Sequence, residues 1–282
     1  MHQATGTDKT SCMPQHTKDF VDVPGGYLYY EQRGEGPDVV LLNGGLADLR
    51  MWDATVEWLA ERARVTTWDY RDTGLSAPAY GPYNEIDDLA AVLDAANVAR
   101  AVLVGSSEGG RRALGFAHRH PERVVRACVV AGSFAEFPDP SPEESAAREV
   151  MRNHFAQHEK VLAAEGIPAA AALDVDAWCP AIGTADRRLM VGLEIANSRV
   201  MTMEIYHGLE LDPPVKTRFA ELQPPVSILV GDRDFQGTQL WARRLAEQAP
   251  DADLEVVPGA DHMPMFSAPD AFREFLRRAL SG

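Results

Sequence analysis

The stretch Gly105-Ser106-Ser107-Glu108-Gly109-Gly110 constrains the fold of this chain more than any other. The apolar run Ala101-Val102-Leu103-Val104 leads into it, and a helix-forming segment at residues 111–118 leads out. The local reading is therefore strand, tight turn, helix. A serine at the apex of so sharp a bend sits in a strained backbone conformation. Side chains larger than hydrogen two residues before or after it would collide with the strand or the helix. Gly105 and Gly109 occupy those positions, giving G-x-S-x-G centred on Ser107. Glycine and serine are common in turns, so this pattern alone also describes a plain strand–helix turn with a solvent-facing serine. The surrounding chain has to separate the two.

Upstream, residues 19–24 and 27–33 flank Gly25-Gly26 as a hairpin. Val39-Val40-Leu41-Leu42 is a continuous apolar run ending in Asn43-Gly44-Gly45, a buried strand entering a glycine loop. A helical pattern over 49–62, a strand over 65–68 and a helix over 84–96 come next. Beyond the turn helix, 124–131 reads as another apolar strand. Alternation then stops: residues 134–214 are rich in Ala, Glu and Arg and helical in pattern, with no strand expected. Pro138, Pro140 and Pro142 stand at the entrance and Pro213-Pro214 at the exit. It resumes with strands at 226–230 and 254–257 and helices at 238–248 and 269–280. Strands alternating with helices imply an α/β protein, a mostly parallel sheet of about eight strands with helices on both faces. The expected organisation is a disordered tail at 1–18, a core of 19–133 and 215–282, and an inserted helical cap at 134–214.

The 282 residues carry a net charge of −15, which argues against partners recognised through phosphates, whether nucleic acid or anionic membrane. No apolar run approaches the ~18 residues a spanning helix needs, and the polar N-terminus has no signal-like apolar region. A cytoplasmic, bacterial protein is expected. Its partner is a small molecule, and a homodimer is left open. Cys12, Cys128 and Cys179 are far apart with no metal-like spacing, so neither zinc nor a disulfide framework is expected. Cys128, in an apolar strand, reads as inert core. His154 and His158 have a metal-capable i, i+4 spacing, but no third ligand is near in sequence, and a solvated helix face is the expected reading. No metal and no cofactor are expected.

In open parallel sheets the chemistry lies past the carboxyl ends of the strands. Ser107 follows one strand, Gly231-Asp232-Arg233-Asp234 another, and Pro258-Gly259-Ala260-Asp261-His262-Met263 a third. A hydroxyl, an imidazole to make it nucleophilic and a carboxylate to orient that imidazole are the groups serine catalysis needs.

These residues resemble the α/β-hydrolase fold superfamily, most closely its lidded bacterial esterase, lactonase and cofactor-free haloperoxidase-like members. The likeness runs from about residue 20 to 280, the helical lobe excepted. It implies Ser107 as nucleophile, Asp234 as triad acid and His262 as base, with the backbone N–H groups of Gly45 and Glu108 as the oxyanion hole. By the family pattern Asp232 lies too close to the strand end, and Asp261 adjoins His262 directly, so Asp234 is preferred. Residues 69–76 look like the family's D-x-R-G-x-G-x-S segment, with Asp72 where glycine is more usual. Asn43 stands where the family has histidine, and it can brace the loop by hydrogen bonding. Glu108 would set negative charge beside a developing oxyanion unless turned outward or paired with Arg111 or Arg112.

The implied activity is hydrolysis of a small or medium ester or lactone through an acyl-enzyme on Ser107. The alternatives are C–C cleavage, acyl transfer or a lyase or cyclase step on the same triad, and a non-catalytic ligand-binding protein. A serine at the elbow argues against the dehalogenases and epoxide hydrolases of this fold, which carry aspartate there. Phe134, Phe155, Trp178 and Tyr206 of the lobe, with Phe235 and Met263 beside the triad, are the candidate substrate-binding residues.

Overall fold

The computed structural model describes residues 16–132, 137–209 and 211–281. Its first hairpin pairs β1 (His16–Val23) with β2 (Gly26–Arg33), and Gly25 takes φ +81° at the turn. The strand starts at His16 rather than after the expected tail. His16 and Lys18 reach Glu31 at 2.8 and 3.0 Å, so a polar edge strand is held by cross-strand charge rather than by an apolar pattern. The rest of the expected tail lies outside the described residues.

β3 (Asp38–Leu42), α1 (Asp53–Leu59), β4 (Arg64–Trp68), β5 (Tyr83–Asn84), α2 (Glu85–Ala95), β6 (Ala101–Ser106), α3 (Glu108–Arg119) and β7 (Val124–Val130) follow. The chain then leaves the sheet for α4 (Pro142–Glu165), α5 (Ile167–Trp178), α6 (Thr184–Ala196) and α7 (Ser198–Thr202). It returns as β9 (Val226–Gly231), α8 (Gln236–Gln248), β10 (Ala252–Val257), α9 (Pro264–Ser267) and α10 (Pro269–Ser281). One element in the lobe departs from expectation: β8 (Gly208–Leu209) pairs parallel with β5. Two residues are too few to leave an alternating pattern.

The main sheet has eight strands in the order β1-β2-β4-β3-β6-β7-β9-β10, antiparallel through β1, β2 and β4 and parallel beyond. The chain runs outward from β3 to β4 on one side and to β6 on the other. That reversal opens a crevice between the carboxyl ends of β3 and β6. Alternation along the strands divides the core between two faces. Val40, Leu42, Leu103, Ile228 and Val230 pack with α2, α3 and α8, and Val39, Leu41, Val104 and Leu229 pack with α1 and α10. Phe272, Phe275 and Leu276 of α10 are 1–2% exposed, and each such side chain contributes about 1.5–3 kcal/mol by burial. Val175, Cys179, Met190 and Leu193 of the lobe join this second face, which fixes α5 and α6 over the crevice. Among the described residues no helix is long and apolar enough to cross a membrane.

Candidate active site

The β6–α3 turn is as tight as its glycines require. Ser107 takes φ 52° and ψ −118°, a left-handed backbone that L residues adopt only under constraint. Its N–H donates to Val130 O at 2.9 Å, and its carbonyl accepts from Gly110 N at 2.9 Å. A Cβ on Gly105 would lie 2.2 Å from Gly109 O, and one on Gly109 would lie 2.2 Å from Leu42 O. Both obstacles are backbone, which cannot swing aside. Gly105→Ala is therefore expected to cost about 3 kcal/mol, the upper end of overpacking, and to lower Tm by roughly 6–12 °C. Gly192→Ala on α6, where nothing lies within 4 Å of the added atom, is the control; it should raise stability by about 0.5–1 kcal/mol. Equal Tm values for the two variants in a thermal melt would refute the steric account.

Three carboxylates competed for the imidazole, and their partners separate them. The Nδ1–H of His262 donates to Asp234, at 2.8 Å to Oδ2 and 3.0 Å to Oδ1, with the side chains 5% and 0% exposed. Asp234 Oδ1 also accepts the N–H of Phe235 at 2.7 Å. Asp232 instead accepts from Gly259 N at 2.7 Å, and Asp261 accepts from Met263 N at 3.0 Å and Ala181 N at 2.7 Å. The two turns approach so closely that a Cβ on Gly231 would meet Ala260 O at 2.1 Å. The His262 ring packs on Trp178, centroids 4.4 Å apart.

The loop after β3 reaches the serine turn. A Cβ on Gly45 would sit 3.3 Å from Glu108 Cγ, and one on Gly44 would sit 3.8 Å from Ser107 Cβ. Asn43 braces this loop: its side-chain Nδ2 donates to Trp68 O at 2.8 Å, and its backbone carbonyl accepts from Tyr70 Oη at 3.0 Å. Asp69 accepts from Leu49 N and Leu75 N, and burial pushes its carboxyl up to about 6. Asp72, with φ 68° where the family favours glycine, accepts from Ala79 N at 3.1 Å and from Arg199 Nε of α7 at 2.6 Å. Glu108 is turned to Arg111, whose Nε donates at 2.9 Å. Its charge is met by a cation rather than left facing the serine.

Gly44, Gly45, Ser107, Glu108, His262 and Met263 line one cavity of about 260 Å³, closed from the lobe by Phe155, Asp174, Val175, Trp178, Cys179, Met190 and Glu194. Of the expected pocket residues, Phe155, Trp178 and Met263 line it, and Phe235 packs behind Trp178 with centroids 4.4 Å apart. Phe134 lies outside the described residues. Tyr206 is not at the cavity: its hydroxyl meets Glu85 and accepts from Arg112 in a charge network on α2 and α3. A second cleft of about 470 Å³ between α4 and α8 shares only Phe155 with it and, among the described residues, has no serine, histidine or aspartate in its wall.

The expectation of a solvated His154 is corrected. Its side chain is 9% exposed, and its Nε2 donates to Asp174 at 2.6 Å, where Trp178 Nε1 also donates at 3.1 Å. Among the described residues no group of three His, Cys, Asp or Glu could hold a metal ion. Cys128 is buried core as expected, its thiol pushed up to about 12 by burial. Sequence reading missed Asn197, which is 2% exposed. Its side chain bonds Gly74 N, Leu46 O and Asp48 and ties the lobe to two core loops. It also missed Asp174 and Glu194, which sit on helices whose pattern marks them only as polar positions.

The Alpha/beta hydrolase family model matches residues 39–275. A protein provisionally named carbamate hydrolase RutD, from Caulobacter sp. (strain K31), is 29% identical over 278 residues, covering 90% of this chain and 96% of its own length. The pimeloyl-[acyl-carrier protein] methyl ester esterase of Pectobacterium atrosepticum is 28% identical over 257 residues, 88% of this chain and 96% of that one. The enol-lactonase of Burkholderia xenovorans LB400 superposes with a TM-score of 0.68 over 94% of this chain and 100% of its own, at 24% identity, a likeness of fold.

Proposed function

The chain belongs to the α/β hydrolase family, and from that membership we propose that it is a serine hydrolase of a small or medium ester or lactone. The observation that carries this reading is the buried His262–Asp234 pair, which shares one cavity with the strained Ser107. Ser107 Oγ attacks the carbonyl carbon while His262 Nε2 takes its proton. Asp234 keeps the Nδ1–H tautomer and stabilises the imidazolium. The N–H groups of Gly45 and Glu108 donate to the oxyanion. His262 returns the proton to the leaving alcohol, and water, deprotonated by the same imidazole, releases the acid from Ser107. The ester, carbamate and lactone substrates in the names of similar proteins share an attacked acyl carbonyl. The lobe helices act as the lid that sizes this substrate, since they supply about half of the cavity wall.

A fluorophosphonate probe tests the reading because it reacts only with an activated serine. The expected adduct maps to Ser107 by peptide mass spectrometry and is lost on prior denaturation. Labelling at another residue, or none on folded protein, would sink the mechanism.

A further inference from the structure

Three carboxyl side chains stand in the cavity wall, and two of them have partners. Glu108 takes Arg111, and Asp174 takes His154 and Trp178. Glu194, on α6 one turn after the buried Met190 and next to Leu193, is 5% exposed and meets no cation among the described residues. Its Oε2 has no hydrogen-bond partner among the described residues. An unmet buried polar atom is destabilising, and a leucine would fill the same space without that cost. Among the described residues nothing in the packing of α6 uses the carboxyl, and Glu194 lines the same cavity as Ser107 and His262.

We propose that Glu194 is a specificity-determining hydrogen-bond donor, giving its carboxyl O–H to a neutral acceptor oxygen that the substrate carries beyond the carbonyl attacked at Ser107. The second oxygen would be a ketone, ether or amide oxygen on the acyl or alcohol portion. This rests on the serine-hydrolase reading for the attacked carbonyl but not for the recognition itself. Burial, reinforced by the negative Asp174, pushes the Glu194 carboxyl up to about 9, so near neutral pH it holds its proton. A neutral acceptor then binds without any proton moving, whereas an ammonium group would require Glu194 to ionise in place. Among the described residues no Arg or Lys lines the cavity, so a carboxylate on the substrate would find no permanent cation there to offset the three acids. Among the described residues, the titratable groups that share the cavity wall with Glu194 are Asp174 on α5, Cys179 after it, Glu108 on α3 and His262 after β10. The Cys179 thiol is raised by burial and by neighbouring carboxylates including Glu194, and it remains protonated with it.

Paired p-nitrophenyl esters provide the test, one series with plain alkyl acyl chains and one with a keto, ether or amide oxygen at the β, γ or δ position. Wild-type protein should show a KM lower by about tenfold or more for the best oxygen-bearing ester, one hydrogen bond in a dry site. E194L should erase that preference, and E194Q, whose amide still donates, should keep it. Raising the pH through about 9 should raise the wild-type KM for the oxygen-bearing ester as Glu194 loses its O–H, and leave E194Q flat. A preference surviving in E194L, no preference in wild type, or a preference for amine-bearing esters lost in E194Q would each overturn the proposal. Calorimetric binding of the same pairs to S107A and to S107A/E194L reads recognition without turnover. A Glu194-dependent preference there, together with no fluorophosphonate adduct on the folded wild-type protein, would sink the serine mechanism and leave the recognition standing.

Discussion

Replacing Ser107 with alanine should lower kcat on activated esters by roughly 10⁴- to 10⁶-fold while leaving the fold in place. The turn is held by backbone bonds, Ser107 N to Val130 O and Gly110 N to Ser107 O, and alanine keeps both. Only the hydroxyl is lost, and Ser107 makes no side-chain cap bond whose loss would weaken α3. The residual rate then comes from the oxyanion donors and binding alone. Ser106→Ala is the matched control, because the Ser106 hydroxyl has only a 3.7 Å contact with the Met263 sulfur and should leave kcat nearly unchanged. Steady-state kinetics on the two variants, with thermal melts to verify folding, decide the matter. Near-wild-type turnover in Ser107→Ala would move the chemistry to another residue.

Asp234→Asn should cost about 10⁴-fold in kcat with little loss of stability, and the structure gives the reason at the level of single atoms. Phe235 N donates to Oδ1 and His262 Nδ1 donates to Oδ2 at 2.8 Å. An asparagine that keeps its oxygen toward Phe235 N puts its NH₂ in place of Oδ2, the closer of the two oxygens to His262 Nδ1. Two donors cannot face each other, so Nδ1 gives up its hydrogen and Nε2 takes it, the tautomer that cannot accept a proton from Ser107. Asp232→Asn, which disturbs only the bond from Gly259 N, should retain most activity. Asp261→Asn should act through stability, since Asp261 tethers Ala181 of the lobe and Met263 N. A larger kcat loss in Asp232→Asn than in Asp234→Asn would reverse the assignment of the acid.

Much of this was legible before any coordinates. The elbow could be read because a bend of that kind imposes its demands within five residues: two glycines, at each of which an added Cβ would meet a backbone oxygen at 2.2 Å. The alternation of apolar strands and amphipathic helices set the sheet and its two covered faces. What escaped the reading shares a cause. A polar edge strand at His16, a two-residue pairing between β5 and β8, and a histidine buried against Asp174 leave no periodic trace. Tyr206 looked like an apolar wall and instead serves a charge network, because its hydroxyl found Glu85 and Arg112 from 121 and 94 residues away.

By itself, then, the sequence determined the strained serine turn and the family, along with the set of groups from which a triad could be drawn. These depend on short-range sterics and on order along the chain. The resemblance already favoured Asp234; only the tertiary structure paired it with His262 and gave Asp232 and Asp261 other partners, turned Glu108 to Arg111, and set Glu194 in the cavity wall with no partner among the described residues. Those outcomes depend on where side chains far apart in sequence come to rest. In a dry interior, a few ångströms decide whether a carboxyl is paired with a cation or left to a substrate.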